Sequence, residues 1–322
     1  MRKLLLGTTA LAAAASLSAN VAIADVSISG SYEWTYNSLS SNQTALDGTS
    51  MSSDSEIVFK FSNKTDSGLT IGLVTELESD DTDTAINESS ISISGGFGKI
   101  VLGGNDSVGD NFGIEAEDLI AEESAPNGSG ATVSTDTDIT PASGDDSKIS
   151  YFLPAMGGLT AGVSHRTTVT GGSDSTEFGA QFTTSAAGST ITIGGATGTT
   201  DNATKDIDSQ NIGVKIVNGP ISVIFAQGSY EADDEDREAN GASISYAVGN
   251  GMTIGAYTME SDDALDAGEE YSKSGFEVQY AIASGLTAVV TVDDYEYKTT
   301  SAHSEGTNDS GTNSKLTIKA SF

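Results

Sequence analysis

The sequence predicts an all-β protein, a transmembrane antiparallel β-barrel of about sixteen strands. Three observations predict it: an apolar leader at the amino terminus, short segments of alternating apolar and polar residues along the rest of the chain, and an amphipathic last segment that ends on Phe322. Successive strand side chains point to opposite faces, so alternation with period two marks a sheet with one apolar face. A closed barrel in a membrane needs such strands.

The first 24 residues are predicted to be a secretory signal peptide, and residues 25–322 to be the barrel domain. Arg2 and Lys3 form a basic start, an Ala- and Leu-rich run follows, and Ala22-Ile23-Ala24 provides a small-residue cleavage site. No later stretch approaches the roughly 18 continuous apolar residues of a spanning helix. We therefore expect the chain to cross the periplasm and to enter the outer membrane as strands.

Composition restricts the partners and the chemistry. The formal net charge is −32, so nucleic acid is excluded as a partner because its phosphates would be repelled. Cysteine is absent, so disulfides do not hold the chain together. An acidic chain of low hydrophobicity is also typical of disordered or soluble secreted protein, but the regular punctuation by turns argues against disorder.

The alternating segments come in pairs. They begin at residues 26–36 and 57–61, continue at 69–77, 91–93 and 100–102, resume at 149–151 and 159–163, and four further pairs precede the last strand at 313–322. The short turns between partners are rich in Gly, Asn and Ser, as tight hairpins require. The count of about sixteen is even, as in single-chain bacterial barrels.

The connections alternate in kind. Short turns alternate with longer acidic stretches, at residues 80–83, 231–236 and 262–270. Short turns on one side and long loops on the other predict an outer-membrane barrel with both termini in the periplasm.

No cofactor is expected. Calcium is the one metal considered for the acidic stretches, because it prefers hard oxygen ligands, and no ligand set is assigned.

The polar faces of the predicted strands indicate a water-filled lumen. The charged residues predicted to line the pore wall are Glu33, Glu56, Lys60, Glu76, Lys315 and Lys319. The aromatic residues predicted near strand ends, where they form interfacial girdles, are Trp34, Tyr36, Tyr230, Tyr257, Tyr295 and Phe322. No aromatic track is expected at inward positions.

The last strand is predicted to close the barrel and to serve as the terminal assembly signal. Leu316, Ile318 and Phe322 fall on one face of it, and the polar residues between them fall on the other. An unpaired edge in hydrocarbon would leave backbone groups without hydrogen bonds.

Two motifs carry a family resemblance. Residues 92–103 read SISGGFGKIVLG, and after a long loop residues 150–159 read SYFLPAMGGL. Together with the terminal Phe322 they resemble the general diffusion porins of Gram-negative outer membranes, most closely the alphaproteobacterial group. The resemblance implies a sixteen-stranded barrel that assembles as a homotrimer among outer-membrane lipids and lipopolysaccharide. It also implies a third loop that folds inside the barrel and narrows the pore.

That loop corresponds to residues of about 105 to 147. Its first half mixes apolar anchors with acids and is predicted to form the constriction, whereas residues 124–147 are assigned no structure. The loop acids predicted to line the constriction are Asp106, Asp110, Glu115, Glu117 and Asp118.

One position departs from the family. Relatives often carry an arginine directly after the Leu-Gly that ends the first motif, and this chain has Gly104. We therefore expect passive diffusion of small hydrophilic solutes and ions, with a preference for cations. Only two histidines occur and no G-x-S-x-G nucleophile turn is present, so the sequence does not indicate an enzyme.

Two alternatives stay open from the sequence. One is a substrate-specific outer-membrane channel. The other is a secreted, acidic, β-rich adhesin or surface-layer protein built as a solenoid, although no repeat of fixed period is found.

Overall fold

A computed structural model of the chain contains sixteen antiparallel strands that close into one barrel, which confirms the predicted fold class. Consecutive strands pair with each other, and the first strand pairs with the last. A closed sheet is not a solenoid, so the solenoid adhesin is wrong. The structure describes residues 25–42, 47–78, 86, 88–121, 139–141, 144, 146–167, 173–201, 206–232, 235–263, 269–298 and 308–322. The predicted signal peptide lies outside these ranges and stays a prediction.

The strands vary in length. In chain order they are β1 (Asp25–Ser41), β2 (Gly48–Lys64), β3 (Thr70–Glu78), β4 (Ser89–Gly95), β5 (Gly98–Gly104), β6 (Ser147–Phe152), β7 (Leu159–Thr167), β8 (Asp174–Ala186), β9 (Ser189–Asp201), β10 (Asp206–Asn218), β11 (Ile221–Ala232), β12 (Glu235–Gly249), β13 (Met252–Asp263), β14 (Glu269–Ala283), β15 (Leu286–Lys298) and β16 (Asp309–Ser321). The longest, β1 and β2, have 17 residues each. That exceeds the roughly 9–11 residues that cross a bilayer, so these strands extend beyond the hydrocarbon. Within the described ranges, no helix is long and apolar enough to span a membrane.

Exposure alternates along the strands and distinguishes the two faces. Phe178 in β8 is 56 % exposed, whereas the adjacent Glu177 is 2 % exposed. In β10, Ile212 is 59 % exposed and the adjacent Asn211 is 6 % exposed. Residues paired directly across antiparallel strands share a face, so the exposed apolar side chains form one continuous outer surface. The inner surface carries polar and charged side chains such as Glu177 and Asn211.

The barrel closes where β1 meets β16. The register places Trp34 opposite Ile318 on the outer face and Glu33 opposite Lys319 on the inner face. The backbone N–H of Phe322 donates to the carbonyl of Gly30 at 2.9 Å. Ile318 and Leu316 therefore lie toward lipid, as the last strand requires, while their role as an assembly signal stays a prediction.

Two outer connections are shorter than the sequence indicated. The acidic stretch at 231–236 was expected to be a loop, but β11 and β12 run through it and Ala232 pairs with Glu235. Likewise, Asp262 and Glu270 pair with each other inside β13 and β14. The expectation was wrong because strand ends above the membrane have water on their outer face. The outward positions of these strand ends therefore carry acids, whereas the outward positions within the membrane carry apolar residues.

The inner face also carries aromatic residues, contrary to expectation. Tyr257 and Tyr295 were placed in the interfacial girdles, but they lie on the inner face, at 5 % and 4 % exposure. Tyr295 packs with Tyr271 and Tyr297. The even-numbered residues of β15, such as Val292, face lipid, so the odd-numbered tyrosines must face the lumen.

Candidate functional site: a loop inside the barrel

The connection between β5 and β6 begins with a short helix, α1 (Val108–Phe112). Ser107 caps it reciprocally: its hydroxyl accepts from the Asp110 N–H at 3.2 Å, and the Asp110 carboxylate accepts from the Ser107 N–H at 3.0 Å. A 3-10 turn (Ala116–Leu119) follows. It starts in a similar way, because the Glu115 N–H donates to the Asp118 carboxylate at 3.2 Å. Both turns are thus fixed locally by the acids of the loop.

The loop lies against the inner wall of the barrel, and glycines stand where it approaches the strands most closely. A Cβ atom added at Gly179 would lie 2.9 Å from the Phe112 Cβ, and a Cβ atom added at Gly241 would lie 2.5 Å from the Ala116 Cβ. Seven successive strands, β7 to β13, each have a glycine that would contact the loop in this way: Gly162, Gly179, Gly194, Gly213, Gly228, Gly241 and Gly255. We call this row the glycine track. The loop therefore packs directly on the strand backbones.

Polar side chains of the wall bind the backbone of the loop. The Asn211 side chain accepts from the Ile114 N–H at 3.1 Å and donates to the Ile114 carbonyl at 3.2 Å. Glu177 accepts from the Gly109 N–H at 3.1 Å. Such bonds are needed because the loop backbone is buried and cannot use water. Nothing in the alternation of polar and apolar residues distinguishes Asn211 and Glu177 from other polar residues of the inner face.

Charged anchors hold both ends of the described part of the loop. Lys148, which is 3 % exposed, donates to the carbonyls of Asn105 and Gly144 and so holds the entry and exit of the loop together. At the far end, the Ala121 N–H donates to Glu277 at 3.0 Å. The Ala121 carbonyl accepts from Lys319 at 2.8 Å. The loop thus extends along the wall from β6 as far as β16.

The second half of the loop is only partly described. Residues 122–138 lie outside the described ranges. Ile139 is buried, and a Cβ at Gly228 would lie 2.5 Å from its carbonyl oxygen. Pro141 lies against Ser107, whose hydroxyl is 3.4 Å from the Pro141 carbonyl. The end of the stretch that was left without structure is therefore packed on the wall.

The five predicted constriction acids lie in different environments. Asp106, Asp110 and Asp118 are exposed on the loop, and Glu115 is half-buried. Glu117 instead forms an ion pair with Lys273 of β14, and both side chains are largely buried. The acidic group of Glu117 is therefore used to fix the loop on the wall.

Partial desolvation by the surrounding loop and wall shifts the pKa of two of these acids. Desolvation raises the pKa of Asp110 above its ordinary value, although hydrogen bonds from Ser107 oppose the shift. Desolvation also raises the pKa of Asp118, against the backbone N–H of Glu115 and the charge of Lys215. Both carboxylates are thus harder to keep ionised than a fully hydrated aspartate.

The six predicted wall residues all lie on the inner face by register. Glu56 pairs with Ser31, Glu76 with Val58 and Lys60 with Ser27. Lys315 pairs with Asn37, and Lys319 pairs with Glu33. The Lys319 ammonium lies 3.2 Å from the Glu33 carboxylate, so part of the predicted charge of the wall is internally compensated.

Two further acids belong to this wall. Asp54 pairs directly with Glu33, and Glu78 pairs directly with Glu56. Like charges directly opposite each other destabilise a sheet unless water screens them. Their presence indicates that this side of the lumen, across from the glycine track, is hydrated. In the part of the chain that the structure describes, no group of three or more His, Cys, Asp or Glu could hold a metal ion.

Comparison with known proteins agrees with the fold. A family model described as Gram-negative porin matches residues 7–300. Among solved structures, a trimer form of OmpT from Vibrio cholerae has 13 % identity and a TM-score of 0.68, over 93 % of this chain and 99 % of that one. An anion-selective porin from Comamonas acidovorans has 17 % identity and a TM-score of 0.65, over 93 % and 100 %. A mutant of the Rh. blastica porin has 17 % identity and a TM-score of 0.65, over 92 % and 100 %. No curated protein sequence matches significantly.

Proposed function

Because the chain belongs to the Gram-negative porin family, and so forms an outer-membrane channel rather than an enzyme, we propose that it conducts small hydrophilic solutes passively and prefers cations. The observation that carries the preference is the charge of the hydrated inner wall. Six acids on β1 to β3 face the lumen: Asp25, Glu33, Asp54, Glu56, Glu76 and Glu78. On the same strands and β16, the lysines that face it are Lys60, Lys64, Lys315 and Lys319.

The loop, which packs on the glycine track, adds three exposed acids: Asp106, Asp110 and Asp118. A passage with carboxylates on both sides concentrates cations and repels anions, because low-dielectric walls focus the field. Gly104, at the end of β5, leaves the position after the Leu-Gly motif without a cation.

The fold alone does not decide selectivity. The Comamonas acidovorans neighbour is described as anion-selective, yet it shares the fold at a TM-score of 0.65. Selectivity must therefore come from side chains, which differ at 17 % identity. This is why the proposal rests on the register of the wall acids and not on the neighbours.

The experiment is a reversal-potential measurement in planar bilayers with a potassium chloride gradient. We expect a cation preference that weakens toward 1 M salt, where the Debye length falls to about 3 Å. The double variant Glu56→Gln, Glu76→Gln should lower the preference. Glu260→Gln, on the outer face of β13, is the matched control. A wild-type pore that prefers chloride at low salt would refute the proposal.

We also propose that the chain forms a homotrimer surrounded by outer-membrane lipid and lipopolysaccharide. A solved OmpT is described as a trimer form. Apolar residues on the outer face, such as Ile28 and Ile57, are exposed in the single chain. Electrophoresis with and without boiling, combined with cross-linking, tests the assembly.

Calcium binding by the acidic outer connections also stays a proposal, tested by calorimetric titration of the purified protein.

A substrate-specific channel receives no support from the inner tyrosines. Tyr295 donates to Asp309 at 2.9 Å and Tyr297 donates to Glu269 at 2.9 Å. Tyr297 is 1 % exposed. Their rings and hydroxyls are packed within the wall, so they do not offer a surface to a passing sugar.

A further inference from the structure

The outer face of the barrel has a groove of about 920 Å³ across β6 to β12. Phe178, which is exposed on the lipid-facing side, and the half-buried Tyr151 and Val163 line one part of it. The inner face at this level is covered by the loop, and none of the loop residues that the structure describes lines the groove. The groove therefore opens outward, toward the membrane.

A row of small residues makes this part of the wall concave. Ala161, Ala180 and Gly195 pair directly with one another across β7, β8 and β9. The rows on either side contain Phe178 and Ile193, whose side chains project outward. Small residues between rows of large ones leave a trough, because nothing fills the space above the backbone.

The groove changes from apolar to polar along its length. The row that begins with Val163 and Phe178 continues as Thr197 and Gln210, then as Ser229 and Glu238. The Gln210 side chain donates to Ser229 at 2.9 Å, so these groups form a connected polar surface. Gln210 lies four residues from the outer end of β10, which places the polar part toward the outer leaflet.

In a bilayer an apolar trough alone retains nothing. Lipid tails are already in hydrocarbon, so no hydrophobic gain accompanies their contact with the wall. Retention of one particular lipid requires close van der Waals packing together with polar contacts to its head group. The groove provides both, since the trough at Ala180 is continuous with the polar surface at Ser229.

We propose that this groove is a binding site for one acyl lipid whose head group carries an amine. The acyl chain lies over Ala161, Ala180 and Gly195, and the head group lies at Gln210 and Glu238. Among the described residues that line the groove, Glu238 and Tyr151 are ionisable. A carboxylate attracts an ammonium and repels an uncompensated phosphate. The proposal rests on the outer-membrane location of the channel but not on its ion selectivity.

Native mass spectrometry of the full-length mature protein tests the site. The purified protein is exposed to an equimolar mixture of phosphatidylethanolamine and phosphatidylglycerol with identical acyl chains. We expect the wild type to retain the ethanolamine lipid several-fold more than the glycerol lipid. Ala180→Phe fills the trough and should abolish retention. Ala256→Phe, on the outer face of β13 and outside the groove, should retain lipid as the wild type does.

A second variant separates head-group recognition from packing. Glu238→Gln should still bind lipid but should no longer discriminate between the two head groups. The control, Glu260→Gln, should discriminate between them as the wild type does. Equal retention by Ala180→Phe and Ala256→Phe, or a wild type without head-group preference, would overturn the proposal. The measurement needs no ion flow, so its failure is distinguishable from a failure of the selectivity experiment.

Discussion

Lys319 of β16 lies between two partners from distant parts of the chain. Its ammonium is 3.2 Å from the Glu33 carboxylate of β1 and 2.8 Å from the Ala121 carbonyl of the loop. The side chains of Lys319 and Glu33 are about one-third exposed, at 37 % and 30 %. At that exposure the pair adds little to stability, roughly 0–1 kcal/mol, but it neutralises a wall acid.

Replacing Lys319 should therefore change selectivity more than stability. We expect Lys319→Met to increase the cation preference, because Glu33 regains its full charge. The reversal potential in a salt gradient measures the effect. Lys298→Met, at the outer end of β15, is the control. A decreased cation preference would show that Lys319 acts mainly by holding Ala121.

A side chain on the glycine track should displace the loop. In Gly241→Ala the new Cβ would lie 2.5 Å from the Ala116 Cβ, and overpacking of this kind costs about 1–3 kcal/mol. We expect a changed single-channel conductance and a lower temperature of the heat-modifiable transition. Gly48→Ala is the matched control, because a Cβ there has nothing within 4 Å. Identical behaviour of the two variants would contradict direct packing of the loop on the wall.

Loss of Asn211 should release the middle of the loop. Asn211→Ala leaves the buried N–H and carbonyl of Ile114 without their partner, at about 1–3 kcal/mol for each group. We expect a noisier open channel and faster exchange of the Ile114 amide hydrogen. Asn240→Ala, on the exposed outer face of β12, is the control. An unchanged exchange rate at Ile114 would indicate that the glycine track alone holds the loop.

As the pH is lowered, the cation preference should begin to fall at a higher pH than it would with ordinary, fully hydrated carboxylates. Burial raises the pKa of Asp110 and Asp118, so a falling pH neutralises them before a hydrated aspartate of pKa about 3.9. Reversal potentials between neutral pH and pH 4 measure the loss. The double variant Asp110→Asn, Asp118→Asn should flatten the upper part of this profile. Asp294→Asn, on the outer face, should not.

The register of β3 can be tested with a pair of cysteines. Glu76 faces the lumen opposite Val58, and Leu73 faces outward at 41 % exposure. Glu76→Cys should react with a membrane-impermeant thiol reagent, because water reaches it through the pore. Leu73→Cys should not react, since lipid covers it. The chain has no other cysteine, so labelling reports each site directly. Equal labelling would refute the register.

The strands and their faces could be predicted because apolar and polar residues alternate within each strand, so each strand can be recognised by itself. Glu56 and Glu76 could be placed on the inner face from the apolar residues beside them. The outer turn at 231–236 could not, because strands above the membrane lose the apolar alternation that identifies them. Glu231 is such a residue, paired within the sheet yet acidic on its outer side.

The anchors of the loop were harder to recognise. Asn211 and Glu177 resemble the other polar residues of inner faces, and only the path of the loop distinguishes them. The ion pair of Glu117 with Lys273 joins residues far apart in sequence, so Glu117 looked like a pore acid. The glycine track was visible in principle, since a glycine recurs at an inward position of seven successive strands.

The double attachment of Lys319 has a consequence for the order of assembly. Ala121 is 156 residues from Glu277 and 198 residues from Lys319, so its contacts join distant parts of the chain. Contacts of such separation form late, because long chain segments must first be ordered. The same lysine joins the last strand to the first and holds the loop at Ala121. We therefore expect attachment of the loop at Ala121 and closure of the barrel to be completed together, when the carboxyl-terminal strand pairs with the first.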